Sequence, residues 1–143
     1  MHPNSNLSLS HPWTQRRVNV KAARLRVLVV DDNQNAAEAL ASYLTLQEMD
    51  CRIANSGFEA ISAGVGWLPD VIVMDISMPV CDGFQAALAL RRDSRTAGIA
   101  IIAFTALDET EVKRQLSDHE FDGYCQKGQS PTKLVALVLN FVR

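Results

Sequence analysis

Val71-Ile72-Val73-Met74-Asp75, followed closely by Met78, Pro79, Asp82 and Gly83, decides how this chain folds. An unbroken run of apolar, largely β-branched residues reads as a strand buried on both faces, the position of a central strand in a parallel sheet. The run ends on a carboxylate, so the acid stands at the strand's carboxyl end. In open α/β sheets that edge is where loops part to form a ligand crevice.

A second stretch of the same design lies upstream, where Val27-Leu28-Val29-Val30 runs into Asp31 and Asp32. Two such strands side by side bring Asp31, Asp32 and Asp75 to one rim. Three carboxylates crowded together raise one another's pKa unless a cation joins them. Mg²⁺ suits that need, because it takes oxygen ligands and keeps waters and a phosphate oxygen beside one or two carboxylates. The sequence therefore predicts a magnesium site that handles phosphate.

Composition narrows the rest. The 143 residues suffice for one domain with its own core, and 48% hydrophobic with 21% charged residues is ordinary globular usage. A net charge of −2 gives no overall electrostatic attraction to nucleic acid or to a membrane surface. No apolar run reaches the ~20 residues needed to span a bilayer, and no signal-peptide core opens the chain, which places the protein in the cytoplasm as an expectation. Cys51, Cys81 and Cys125 are odd in number and far apart, a pattern of reduced thiols rather than of a disulfide framework or a metal knuckle.

Residues 1–25 are rich in Asn, Ser, Pro and His and lack apolar periodicity, so they read as a flexible tail. Arg16, Arg17, Lys21 and Arg24 make it basic, and Arg26 follows with no acidic residue before Asp31; this is either a solvated arm or one that docks on an acidic partner or nucleic acid, with Trp13 as a candidate anchor. Residues 26–143 form the domain. Asn33 caps a helix with Ala37, Leu40, Ala41 and Leu44 on one stripe, and Cys51 to Ala54 is a short second strand. A second helix carries Phe58, Ile61 and Val65 on its expected buried face, and a third, from Phe84, carries Phe84, Ala87 and Leu88. Ile99 to Phe104 is a fourth strand that ends at Thr105.

Asp108 to His119 has helical composition but little apolar surface, mainly Val112 and Leu116, which marks a helix weakly held to the core. Gly123 to Gln126 is a fifth strand ending at Lys127, and Ser130-Pro131 starts a last helix with Leu134, Leu137, Val138 and Phe141 inward. Five strand-helix alternations predict an α/β fold, a single (βα)5 flavodoxin-like domain with a parallel five-stranded sheet of order 2-1-3-4-5 and helices on both faces. In that order Asp31-Asp32, Asp75, Thr105 and Lys127 all end strands on the same edge.

That constellation, carried by VLVVDD, VIVMDISMPVCDG, FTA and FDGYCQK in order, resembles the receiver domains of two-component response regulators, and in particular single-domain, chemotaxis-type members. The resemblance spans residues 26 to about 142. It implies that Asp75 is the phosphoacceptor, which takes a phosphoryl group from a histidine kinase or histidine-phosphotransfer protein and is not a turnover enzyme. Asp32 would bind Mg²⁺ directly, Asp31 through water, and the Ser77 backbone carbonyl would be a further ligand. Lys127 would pair with a phosphoryl oxygen and Thr105 would hydrogen-bond the same group. Tyr124 matches the aromatic that swings inward when the threonine moves. The switching surface would be the fourth helix, fifth strand and fifth helix, facing an unidentified protein target. No nucleic acid or membrane partner is expected.

Two departures from the family pattern carry expectations of their own. Gly128 follows Lys127 where proline is usual, and a cis bond to a non-proline residue costs ~2.5–4 kcal/mol, so a trans bond with a looser loop is predicted. Ser77 and Leu107 provide neither acid nor amide to align a hydrolytic water, which predicts a long-lived phosphoryl group. A Mg²⁺-dependent phosphohydrolase using an aspartyl phosphate fits less well, since such enzymes need a second acid where Ser77 stands. A phosphorylation-independent docking module is the remaining alternative.

Overall fold

The computed structural model describes residues 9–143. Its elements run β1 (Ser10–Pro12), β2 (Arg26–Val30), α1 (Gln34–Leu46), β3 (Asp50–Ala54), α2 (Gly57–Trp67), β4 (Val71–Met74), α3 (Gly83–Arg92), β5 (Ala100–Thr105), α4 (Glu109–Gln115), β6 (Gly123–Gln126) and α5 (Pro131–Asn140). The sheet order is β1-β6-β5-β4-β2-β3. Strands β2 to β6 are mutually parallel, and among themselves they follow the expected 2-1-3-4-5 order, with β2 between β3 and β4.

The expected count of five strands is corrected by β1, which pairs antiparallel with β6 through Ser10↔Cys125, His11↔Tyr124 and Pro12↔Gly123. This strand lies in the segment read as a flexible tail. Residues 1–8 fall outside the described residues, but from Leu9 onward the segment is fixed to the domain. Gln126 N donates to Leu9 O at 2.7 Å, Trp13 N to Asp122 O at 2.7 Å, and Val18 N to Phe141 O at 2.7 Å. The physical reason is the outer edge of β6, whose unpaired N–H and C=O groups accept a further strand.

Alternation along the parallel strands sends one set of side chains to each face of the sheet. Leu28, Val30, Ile72, Met74, Ile101 and Ala103 pack with α2, α3 and Val112 of α4. Val27, Val29, Val71, Val73, Ala100 and Ile102 pack with α1 and α5, where Ala37, Leu44, Leu134, Leu137, Val138 and Phe141 are buried as their spacing predicted. The Val, Leu, Ile, Met and Phe side chains among them contribute ~1.5–3 kcal/mol each when fully buried.

Helix α2 turns a different face inward than expected. Gly57, Ala60, Gly64 and Trp67 are buried, whereas Phe58 is exposed. Small residues permit a close approach that larger ones would block. A Cβ on Gly64 would stand 2.6 Å from Leu90 Cδ2, and one on Gly57 would stand 2.2 Å from the Cys81 carbonyl oxygen. The three thiols of Cys51, Cys81 and Cys125 are free.

A buried acid ties the added segment to the core. Asp122 Oδ1 accepts from Arg16 Nε at 2.9 Å and from Thr14 Oγ1 at 2.9 Å, while Oδ2 accepts from Arg91 Nη2 at 2.7 Å and from Ile101 N at 2.9 Å. Removing one member of such a buried network leaves a charge without a partner, at a cost of ~3–5 kcal/mol. Asp122→Ala is expected to lower stability by about that amount in urea unfolding, and Arg16→Ala, whose side chain is 30% exposed, by about 1 kcal/mol or less. Equal losses in the two variants would mean that the Arg91 pair does not dominate.

Candidate functional site

Parallel pairing sets the site's first two walls. Asp75 N donates to Val30 O at 2.9 Å and Asp31 N donates to Ala54 O at 3.0 Å, so the acids following β2 and β4 emerge side by side at the carboxyl edge. Carboxylate oxygens of Asp31, Asp32 and Asp75 lie within 4.8 Å of one another. Asp31 and Asp75 are buried and Asp32 is exposed, which leaves the cluster open on one side.

Local hydrogen bonds hold Asp31 and the loop beyond Asp75 in place. Asp31 Oδ1 accepts from Asn33 N at 2.9 Å, and Asn33 then caps α1 by accepting from Ala36 N at 3.0 Å. Asn55 Nδ2 donates to Asp31 O at 3.0 Å, which ties the loop after β3 to the same rim. Beyond Asp75, the chain folds back at once. Gly83 N and Met78 N both donate to Ile76 O at 3.0 Å, and Asp82 and Gln85 form a reciprocal capping box at the start of α3. Gly83 is required here because a Cβ would stand 2.4 Å from the Asp75 carbonyl oxygen. The reversal passes through Val80, whose φ of 66° lies in the left-handed region a β-branched residue rarely adopts.

Lys127 supplies the counter-charge. Its Nζ lies 3.0 Å from Asp31 Oδ2 and 3.5 Å from Asp75 Oδ1, and its backbone N donates to Thr105 O at 2.8 Å. The described residues contain no cis peptide, so the Lys127–Gly128 bond is trans as expected, and Gly128 adopts a φ of 97°. The looser loop expected there does not displace Lys127 from the acids.

Thr105 and Tyr124 meet through the loop between β5 and α4. Thr105 Oγ1 accepts from Leu107 N at 3.1 Å, and Tyr124 OH donates to Leu107 O at 2.6 Å. Tyr124 is buried, and burial, helped by Asp108 and Glu109, pushes its phenol up to about 12, so it remains a donor at neutral pH. Ser77, expected to offer its carbonyl to a metal, is exposed in the loop after Asp75. The seven residues singled out from the sequence thus fall around one edge of the sheet. Asn33 and Asn55, which orient Asp31, were not singled out as site residues; their only sequence signal was cap and turn chemistry.

Chemically, three carboxylates against a single ammonium make a site that is short of positive charge. Hard oxygen donors in this number suit a small divalent cation such as Mg²⁺. Without it, Asp75 is raised to about 6 by burial and by Asp31, opposed by Lys127. The ordinary value is 3.8, so ionisation costs folding free energy that is absent below about pH 4 and fully present above about pH 6. In metal-free buffer Asp75→Asn is therefore expected to be more stable than the unsubstituted chain at pH 7.5, by about 1 kcal/mol after allowance for solvent screening at the open rim. The gap should shrink as pH falls towards 4.5; a gap independent of pH in urea unfolding would contradict the assignment.

Comparison with known proteins agrees with this architecture. The family model described as response regulator receiver domain matches residues 27–139. The DNA-binding dual master transcriptional regulator RpaA of Synechocystis is 31% identical over 118 residues, covering 82% of this chain and 49% of the relative. The phosphate regulon transcriptional regulatory protein PhoB of Pseudomonas aeruginosa is 34% identical over 110 residues, covering 77% of this chain and 48% of the relative. The chain thus spans about half the length of these curated relatives.

Among solved structures, chemotaxis protein CheY4 of Vibrio cholerae superposes with a TM-score of 0.75 at 26% identity, covering 83% of this chain and 99% of that one. Response regulator protein TrrA of Thermotoga maritima, solved in complex with Mg(2+)-BeF, gives 0.74 at 28% identity, covering 82% and 98%. With most of its length matched by the family model and its strand-end acids on one rim, the chain belongs to the response regulator receiver domain family.

Proposed function

We propose that Asp75 accepts a phosphoryl group in a Mg²⁺-dependent reaction and that the change is passed to a protein-binding surface. The observation that carries this reading is the cluster of Asp31, Asp32 and Asp75 within 4.8 Å, with Lys127 reaching two of its members. A carboxylate oxygen of Asp75 attacks phosphorus, a P–O bond forms, and the P–N bond to a donor histidine breaks as the imidazole leaves. The donor is a histidine kinase or a histidine-phosphotransfer protein in the cytoplasm, as the family membership supports.

Each neighbour then has a separate task. Asp32 would hold the cation directly and Asp31 through water, with Asp75 and the Ser77 carbonyl as the further protein ligands. Mg²⁺, when bound, offsets charge on the phosphoryl oxygens. Lys127 turns from Asp75 to a phosphoryl oxygen, and Thr105 donates its hydroxyl proton to another. Neither Ser77 nor Leu107 presents an acid or amide that would align a hydrolytic water, which favours a slowly hydrolysed product. The Thermotoga relative, solved in complex with Mg(2+)-BeF, supports a magnesium site in this fold.

Intact mass after incubation with acetyl phosphate tests this. A single phosphoryl adduct is expected with Mg²⁺, none without it, and none in Asp75→Asn. Adduct formation in the Asn variant would overturn the assignment of Asp75. A folded chain that gains no adduct with Mg²⁺ present would instead be a docking module that acts without phosphorylation.

A further inference from the structure

The segment that precedes the family match leads from the edge strand to the acid site through a short series of contacts. Trp13 stacks on Tyr124 with ring centroids 5.7 Å apart and planes 5° from parallel. Tyr124 OH donates to Leu107 O at 2.6 Å, and Leu107 N donates to Thr105 Oγ1 at 3.1 Å. Leu107 is therefore clasped on both sides, its carbonyl by the phenol and its amide by the threonine. As acceptor of that amide, Thr105 keeps its own hydroxyl proton available to donate towards the rim.

The ring that covers Tyr124 is itself fixed at several points. Trp13 Nε1 and His11 Nε2 both lie 2.6 Å from Glu109 Oε2, at the first turn of α4. Burial raises the Glu109 carboxyl, but the bonds from His11 and Trp13, with Lys113 nearby, outweigh it and keep the group below its ordinary value. Behind Trp13 the backbone is anchored by Thr14 and Arg16 on Asp122, and ahead of it Gln126 N binds Leu9 O at 2.7 Å. Helix α4 is short, and Val112 is its one buried residue, so the N-terminal strap of residues 9–18 adds to what holds it through His11 and Trp13 on Glu109.

We propose that Trp13 is a positioning residue for phosphoryl acceptance: by covering Tyr124 it fixes the Leu107 peptide and thereby sets the Thr105 hydroxyl for the group on Asp75. The inference rests on Asp75 being the phosphoacceptor. Without the indole, Tyr124 loses the surface that holds its ring inward, Leu107 loses its carbonyl partner, and Thr105 loses the amide that orients it. Coupling between two sites is reciprocal, so a loaded Asp75 site in turn holds the strap more firmly.

Beryllofluoride with saturating Mg²⁺, added to the full chain and followed by ¹⁹F NMR, reads the affinity of the acid site. Trp13→Ala is expected to weaken it about two- to tenfold, the range that an aromatic pair's strength allows. Trp13→Phe, which keeps the stacking but not the bond to Glu109, should recover most of the loss. In the unsubstituted chain, loading should slow hydrogen exchange at Gln126 N, which closes the strap. Unchanged or tighter binding by a folded Trp13→Ala, or exchange at Gln126 that ignores loading, overturns the proposal. Equal binding by Asp75→Asn and the unsubstituted chain would instead defeat the phosphoacceptor reading on which it rests.

Discussion

The parallel pairing of β2 with β4 is the constraint from which the rest of the structure follows, because it forces the acids after each strand to share one small volume. Asp31 and Asp75 are both buried there, and water reaches the cluster only from the open side where Asp32 stands. Like charges brought together in this way need a counter-charge. The chain's own contribution is Lys127, which reaches Asp31 and Asp75 from the end of β6. One ammonium against three carboxylates leaves the balance negative. The site is thus strained towards binding cations and towards anything that replaces charge repulsion with shared coordination.

The same edge determines which parts of the molecule can sense the site. Loops leave it from β2, β3, β4, β5 and β6, and each is tied to a neighbour by a backbone or side-chain bond. Asn55 on the Asp31 carbonyl, Lys127 Nζ on the Asp75 carboxylate and Lys127 N on the Thr105 carbonyl are three such ties. The loop after β5 is held by side chains and leads into a helix with a single buried residue. It is there that the N-terminal strap makes contact. Asp122 makes this arrangement durable by accepting from Arg91 in the core and Arg16 in the strap, so that one buried carboxylate joins the added strand to the parallel sheet.

Much of this was legible in the sequence, for definite reasons. Apolar runs ending in Asp31-Asp32, Asp75 and Thr105 signal strands buried on both faces with polar ends, and burial leaves such segments few alternatives. Helices α1 and α5 showed their inward stripes because each packs a broad apolar face on the sheet. Helix α2 misled because Gly57 and Gly64 bury their backbones, and a reading based on large side chains gave that face to Phe58. Strand β1 had no local signal at all. Ser10-His11-Pro12 has neither alternation nor β-propensity, and it forms a strand because β6 offers an edge and Asp122, over a hundred residues away in the chain, offers acceptors. The basic character of Arg16 was noticed, but its partner lay in the fold rather than outside it.

The central claim is that this chain concentrates its acids so that Asp75 alone among them is the phosphoryl acceptor. Borohydride reduction of the chain after acetyl phosphate and Mg²⁺ treatment addresses it most directly, because an acyl phosphate is converted to an alcohol at the residue that carried it. Peptide mass mapping should find homoserine at position 75 and intact aspartate at 31 and 32. Homoserine at either of those two positions, or reduction spread among the three, would contradict the account.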